Sequence, residues 1–122
     1  MPKAKAKETD QTKEIKKQIT AFKKLFKPLL DSNTYTIAEG LISNAAFMSV
    51  TLNKLQQDIA INGVSEVYQN GSNQSGIKES TSIKVYNNMI RSYTSVVKNL
   101  IGLVPEDKQV EVGSQLTAFL QS

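Results

Sequence analysis

The sequence contains no cysteine, no histidine and no tryptophan. Without cysteine the chain has neither disulfides nor thiolate metal sites. Without histidine it lacks the commonest general base and the commonest metal ligand. Its carboxylates are scattered, and none of them has the spacing of a paired acid–base site or of a hard-metal cage. We therefore expect a protein that is not an enzyme, with no catalytic residues, no metal site and no cofactor.

Long apolar runs are also missing, and none approaches the ~18 residues of a membrane span. The N-terminal segment is rich in lysine, and no apolar core follows it as in a secretory signal. Apolar residues make up 39% of the 122 residues, and mean hydropathy is −0.30. These values favour an elongated or oligomeric helical protein over a dense monomer. Because neither a membrane span nor a secretory signal is found, we expect the protein to be soluble and intracellular, with no membrane partner.

What the sequence does contain is an unbroken heptad line near its C-terminal half, which predicts a long helix that ends at Pro105. Either Ser80 or Ser82 can cap its start. The line consists of Ile83, Tyr86, Ile90, Tyr93, Val97, Leu100 and Val104. A second apolar line follows the same segment at Val85, Met89, Val96 and Leu103. A helix with so broad an apolar face needs two neighbours, and in a short chain one of them can be another subunit.

A second heptad line lies upstream and predicts the partner of this helix within the chain. Its members are Leu41, Ala45, Met48, Leu52, Leu55 and Ile59. We expect its helix to span about residues 37–61, with Thr34 or Thr36 as cap and Glu39 completing a capping box. The two segments have similar lengths, so the fold class predicted is all-α, with a long antiparallel hairpin at residues 34–104 as an oligomerisation core.

The surplus apolar face predicts where subunits meet. Arg91 is the only arginine in the chain, and its place in a helix with two apolar lines suggests the edge of an interface; the alternative is an ordinary surface arginine. The predicted oligomer interface comprises Ile83, Val85, Met89, Arg91, Val96 and Leu103.

Positive charge is concentrated at the N-terminus. Residues 1–27 hold nine lysines and three acidic residues, a net charge of +6, whereas the remainder has a net charge of −2. We expect a disordered basic tail at residues 1–8 and a basic amphipathic helix with a turn at residues 9–33, ended near Pro28. Its apolar side carries Ile15, Ile19, Phe22, Phe26 and Leu29. The candidate DNA-binding residues on its other side are Lys13, Lys16, Lys17, Lys23, Lys24 and Lys27.

Three interpretations of this lysine-rich side remain open on sequence alone. It can bind the phosphates of a polyanion, which would make binding strongly salt-dependent. It can be the solvated side of a packed helix, which is the commoner case. It can also belong to an interfacial membrane helix, although its apolar side lacks tryptophan.

Two segments remain. The polar connection at residues 62–78 has turn signals that allow a short β-hairpin at the tip of the helical hairpin, and it lacks the spacing of a nucleotide-binding loop. Residues 105–122 predict a short helix with an apolar side formed by Val110, Leu116, Phe119 and Leu120. That helix can fold back on the hairpin or dock on another protein.

Four stretches together resemble the small terminase subunits of tailed bacteriophages and prophages. They are Tyr68-Gln-Asn-Gly71, Asn73-Gln-Ser-Gly-Ile-Lys78, Val85-Tyr-Asn-Asn-Met-Ile-Arg91-Ser-Tyr93 and Leu103-Val-Pro105. The resemblance covers about residues 35–110. It implies a viral DNA-packaging protein in the host bacterial cytoplasm that forms a homo-oligomeric ring, binds double-stranded phage DNA and presents it to the large terminase subunit, the ATPase and nuclease. The alternative is a helical protein–protein adaptor whose lysines only solubilise it.

Overall fold

The computed structural model describes residues 9–69 and 75–121, and within them the predicted all-helical character is confirmed. Four α-helices form the fold: α1 (Asp10–Phe26), α2 (Ser32–Asn62), α3 (Thr81–Gly102) and α4 (Glu106–Gln121). A 3-10 turn, Lys27–Leu29, follows α1. Two five-residue strands, β1 (Ser65–Gln69) and β2 (Ser75–Glu79), lie between α2 and α3. The predicted disordered tail at residues 1–8 and the segment 70–74 lie outside the described residues.

Helix α1 begins and ends where its capping and proline signals place it. The side chain of Thr9 accepts a hydrogen bond from the Thr12 amide, 3.1 Å away, which satisfies one of the free N–H groups of the first turn. At the other end Pro28 enters the 3-10 turn, since proline lacks the N–H that would continue the helix. Phe22 and Phe26 are fully buried, and they anchor the second half of α1 in the core.

Helix α2 starts earlier than the sequence analysis predicts. The Asp31 carboxylate accepts a hydrogen bond from the Thr34 amide at 2.8 Å, so Asp31 is the cap and the helix begins at Ser32. The prediction of a Thr34 or Thr36 cap is therefore wrong. Threonine is a weaker cap than aspartate, and Asp31 precedes Thr34 by three residues and Thr36 by five. Glu39, freed from a capping box, instead pairs with Lys23 of α1.

Helices α2 and α3 pack against each other in opposite directions. Three pairs of residues show this: Asp58 with Ser82, Gln56 with Tyr86, and Ser49 with Tyr93. The residue numbers fall along α2 as they rise along α3, so the two helices are antiparallel. The two helices are not similar in length, however, because α2 has 31 residues and α3 has 22. Helix α1 packs on a stretch of α2 that overlaps the contact with α3, from Glu39, which pairs with Lys23, to Lys54, which bonds to Gln11.

A single hydrophobic core joins all four helices. Alanines at 38, 45 and 46 of α2 are fully buried, and such small side chains allow neighbouring helices to approach closely. From the predicted heptad line of α3, Tyr93, Leu100 and Val104 are buried, while Tyr86, Ile90 and Val97 pack at the border of the core. From the predicted heptad line of α2, only Ala45 and Leu52 are buried, and Ile42 and Val50 outside that line are buried as well.

The connection between the long helices begins at Gly63, whose φ of 81° lies in the left-handed region that favours glycine. Its N–H donates to the Ile59 carbonyl at 2.7 Å and closes α2. Strands β1 and β2 then pair antiparallel, with Val67 opposite Ile77. The backbone returns to α3 with the Ser80 N–H donating to the Val64 carbonyl at 2.9 Å, and the Ser80 hydroxyl caps α3.

Helix α4 folds back onto the other helices, with a different apolar side from the one the sequence analysis predicts. Val112 and Leu116 are buried in the core, whereas Val110 is 82% exposed. The inclusion of Val110 is therefore wrong, because residues two apart lie on opposite sides of a helix. The side chains of Phe119 and Leu120 lie outside the described ones. Among the described residues, no helix combines the length and the apolar character needed to cross a membrane.

Candidate nucleic-acid-binding surface

The lysines of α1 and of the turn after it form one exposed side of the molecule, which we call the lysine face: Lys13, Lys16, Lys17, Lys24 and Lys27. All five are exposed, while Ile15, Ile19, Phe22 and Phe26 of the same segment pack on the core. The apolar side therefore holds α1 against the hydrophobic core, and the charged side faces solvent. Such a row of cations is suited to binding a polyanion through its phosphates.

Lys23, the sixth predicted DNA-binding residue, is placed differently. At 100° per residue it lies about 80° from the centre of the apolar side, whereas Lys24 lies about 180° away. Accordingly Lys23 is half-buried at the contact with α2, and its Nζ lies 3.6 Å from Glu39 Oε2. Its charge is matched within the chain, so the structure separates Lys23 from the lysine face.

Weak contacts tie two other members of the lysine face to neighbouring side chains. Lys17 Nζ lies 3.7 Å from Glu14 Oε1, with both side chains more than half exposed, and an exposed pair of this kind holds little energy. Lys27 Nζ lies 5.8 Å from the centre of the Tyr35 ring, within the range of a cation–π contact. Because these contacts are exposed, a phosphate can replace them at low cost.

A further lysine that sequence reasoning missed contacts α1 from α2. Lys54 of α2 donates from Nζ to Gln11 Oε1 at 3.1 Å, which brings its charge to the first turn of α1. No periodicity in the sequence signals this contact, since it depends on how α1 crosses α2. Thr20 lies in the sequence between Lys17 and Lys24, and its hydroxyl donates to the Lys16 carbonyl at 3.0 Å.

A second surface of interest is an apolar groove between α2 and α3, which we call the Phe47 groove. Phe47 is 48% exposed and Val85 is 40% exposed, while the side chains of Met48 and Met89 complete its apolar wall. Asn88 and Ser92 form its polar border. Phe47 lies outside both heptad lines, so the sequence analysis missed it. The sequence signal that could have indicated the groove is Phe47 itself, a large aromatic residue that lies outside the heptad line of α2.

The six residues predicted for the oligomer interface do not share one surface. Val85 and Met89 meet in the Phe47 groove, and Val96 and Leu103 continue along the same side of α3, packed at the border of the core. Ile83 lies about 160° from Val85 around the helix axis, on the other border of the buried side. Arg91 is exposed on the far side of α3 and forms no ion pair with any described carboxylate.

Three described groups have a shifted pKa: Asp31, Asp58 and Tyr93. Hydrogen bonds from the Thr34 backbone and side chain lower the pKa of Asp31, and bonds from Ser82 and Asn62 lower that of Asp58. Burial raises the pKa of Tyr93. Within residues 9–69 and 75–121, no three carboxylates come together in a way that could hold a metal ion.

Comparison of the chain with known protein families, with curated proteins and with solved structures finds no match.

Proposed function

We propose that this chain is a small terminase subunit, a DNA-packaging protein that binds double-stranded phage DNA through its lysine face and presents it to the large terminase subunit. The observation that carries the proposal is the separation of the two sides of α1. Five lysines of the segment are exposed, while its isoleucine and phenylalanine side chains hold it against the core. The motifs between residues 68 and 105 that resemble small terminase subunits supply the biological setting.

The composition of the lysine face favours a duplex as the ligand. Proteins that hold single strands stack bases on aromatic side chains, and the exposed side of α1 has none. It also lacks arginine, asparagine and glutamine on the exposed positions between Lys13 and Lys27, and these are the residues that read base edges. Lysines alone contact phosphates as point charges, so this surface provides affinity with little choice of sequence.

The size of the lysine face favours several copies acting together. Lys13 and Lys27 are 14 positions apart, which is about 21 Å along a helix. One copy therefore contacts only a short stretch of duplex. Joining copies in a ring raises the effective concentration of each further site, so that individually weak contacts give a stable complex.

The Phe47 groove supports assembly into such a ring. It exposes Phe47 and Val85 on the hairpin, and the second apolar line of α3 continues from it through Val96 and Leu103. We include this side of α3 in the proposal as the contact between subunits. Ile83 and Arg91 are kept as peripheral members, because they lie away from the groove.

The test is duplex binding by fluorescence anisotropy, with wild-type protein compared with a triple variant of the lysine face, Lys13→Glu, Lys17→Glu and Lys24→Glu. The matched control changes three exposed lysines elsewhere, Lys84→Glu, Lys98→Glu and Lys108→Glu, and so makes the same change in net charge. We expect the first variant to lose binding and the second to retain most of it. Equal losses in both would show that only net charge matters, and would overturn the assignment of the site.

A second function is favoured by the Phe47 groove itself, which suits a protein partner as well as a further subunit. In that case the chain is a helical adaptor, and its lysines serve solubility. Native mass spectrometry separates the two functions. A closed assembly that binds duplex DNA with strong salt dependence supports the terminase subunit, whereas a monomer without DNA binding supports the adaptor.

A further inference from the structure

A polar groove, which we call the seam, runs along α2 between α1 and α3 at the edge of the apolar core. Two adjoining pockets form it, of about 240 Å³ on the α1 side and about 200 Å³ on the α3 side. Ser49 and Asn53 of α2 line both pockets. Gln18 closes the seam from α1, and Tyr93 closes it from α3. Both pockets open to solvent past exposed side chains of α2, and their inner ends reach buried polar atoms.

Two polar atoms that border the seam are buried without a hydrogen bond to any described residue: Tyr93 Oη and Gln18 Oε1. Tyr93 is only 9% exposed. The Ser49 hydroxyl faces the Tyr93 phenol and opposes the effect of burial on its pKa, but it does not reach hydrogen-bond geometry. A buried hydroxyl and a buried amide oxygen without partners are costly, so native proteins satisfy such groups with protein or with ordered water.

The neighbouring polar side chains hold other partners. Gln56 Nε2 donates to Tyr86 Oη at 3.1 Å, and Gln57 Nε2 donates to Asn53 Oδ1 at 3.1 Å. Lys54 Nζ donates to Gln11. Each pocket exceeds by more than tenfold the ~10–15 Å³ that one water needs. The seam therefore has room for water, a donor at Tyr93 and an acceptor at Gln18, with Ser49 and Asn53 between them.

We propose that ordered water is bound in this seam as part of the folded protein and links Tyr93 Oη to Gln18 Oε1. The Tyr93 hydroxyl donates to a first water at the α3 side. A water at the α1 side donates to Gln18 Oε1, and Ser49 and Asn53 supply further partners to both. Buried waters commonly make about three hydrogen bonds, and these four side chains can provide them.

The hydrated seam gives α1 two different attachments to the hairpin. Its second half is held by Phe22 and Phe26, which are fully buried. Its first half, which carries Lys13 and Lys17, packs on the core through Ile15 and Ile19 and also borders the seam through Glu14 and Gln18.

The direct test is a crystal structure of the full chain at about 1.5 Å, together with the variant Tyr93→Phe. We expect density for a water within about 2.7–3.2 Å of Tyr93 Oη and of a second water beside Gln18 Oε1. The variant should lose the first water and melt about 3–6 °C lower, since it removes a satisfied hydrogen bond. The matched control is Tyr86→Phe, which removes a hydroxyl that a protein side chain already satisfies.

Two results would overturn the proposal. One is clear density in which Tyr93 Oη contacts a protein atom directly, with no water in the seam. The other is a Tyr93→Phe variant that melts at the wild-type temperature or above it, because removal of an unsatisfied hydroxyl from a dry pocket is neutral or stabilising. DNA binding does not enter either readout, so the proposal stands or falls independently of the proposed function.

Discussion

The Asp58 carboxylate near the end of α2 accepts a hydrogen bond from the Ser82 hydroxyl in the first turn of α3. Its other oxygen accepts from Asn62 Nδ2 at 2.7 Å. One side chain therefore joins the two long helices at the end where the β-strands leave them. Both bonds favour the ionised carboxylate, and they lower the pKa of Asp58, with the bond from Ser82 as the larger cause.

This pairing predicts a pH dependence of stability. Because the pKa of Asp58 is lower in the folded state, the stabilisation is fully present above the unfolded pKa of about 3.9 and is lost as pH falls through the folded value. We expect Asp58→Asn to lower the melting temperature at about pH 7 and to lose most of that difference at about pH 2. Thermal unfolding at the two pH values measures it.

Asp31 provides the control for this experiment, because its pKa is also lowered, mainly by the Thr34 backbone amide at the start of α2. Asp58→Asn should leave the part of the pH dependence that comes from Asp31. A variant that keeps the full wild-type dependence would show that the link between Asp58 and Ser82 does not persist in solution.

The contrast between Lys23 and Lys24 predicts unequal effects on DNA binding. Lys24 points away from the core, whereas Lys23 lies 3.6 Å from Glu39 and is already matched in charge. We expect Lys24→Gln to lower the slope of log affinity against log salt by about 0.9 in magnitude, the value for one lost phosphate contact. Lys23→Gln should change it little. Anisotropy titrations with one duplex at four salt concentrations decide between them, and equal slopes for both variants would count against the lysine face.

The origin of this contrast also shows what a helical wheel can resolve. The wheel places all six lysines away from the apolar side, yet Lys23 and Lys16 lie nearest its border, and only the position of α2 decides which of them meets a carboxylate. The sequence predicts Glu39 as part of a capping box. Because Asp31 caps α2 instead, Glu39 pairs with Lys23. Local rules therefore identify the helix and its charged side, while the pairing of one lysine depends on tertiary packing.

Burial of α4 predicts a second pair of unequal variants. Leu116 is 2% exposed in the core, and Val110 is 82% exposed on the same helix. Leu116→Ala should lower the free energy of unfolding by about 2–5 kcal/mol through lost burial and the cavity that remains. Val110→Ala should change it by less than about 0.5 kcal/mol. Urea unfolding followed by circular dichroism measures both. A small effect of Leu116→Ala would mean that α4 is not docked in solution.

The assignment of Val110 to the apolar side illustrates why α4 was the least predictable helix. Val110 and Val112 are both apolar and two residues apart, so either can face the core, and the short segment has no repeating line to choose between them. By contrast, α3 repeats its line over seven positions, and its core residues Tyr93, Leu100 and Val104 follow it. The sequence does not predict the Phe47 groove for a related reason. Phe47 lies outside the heptad lines, so its neighbours on α3 are known only from the packing of the two helices.

The Phe47 groove predicts a variant that separates assembly from folding. Phe47 is 48% exposed, so Phe47→Asp removes apolar surface from the proposed subunit contact without burying a charge in the core. We expect the wild-type chain to form a single closed assembly and Phe47→Asp to form smaller species with an unchanged helical circular dichroism spectrum. Native mass spectrometry provides the measurement.

Val110→Asp is the matched control for Phe47→Asp, because it places the same charge on an exposed apolar residue outside the groove. If both variants assemble like wild type, the groove is not the subunit contact, and the second apolar line of α3 is covered within the chain. If both fall apart, added negative charge rather than position is responsible. If only Phe47→Asp loses assembly, the groove is the contact between subunits. The DNA affinity of this variant should then drop sharply although every lysine is intact, because the binding sites of separate copies are no longer linked.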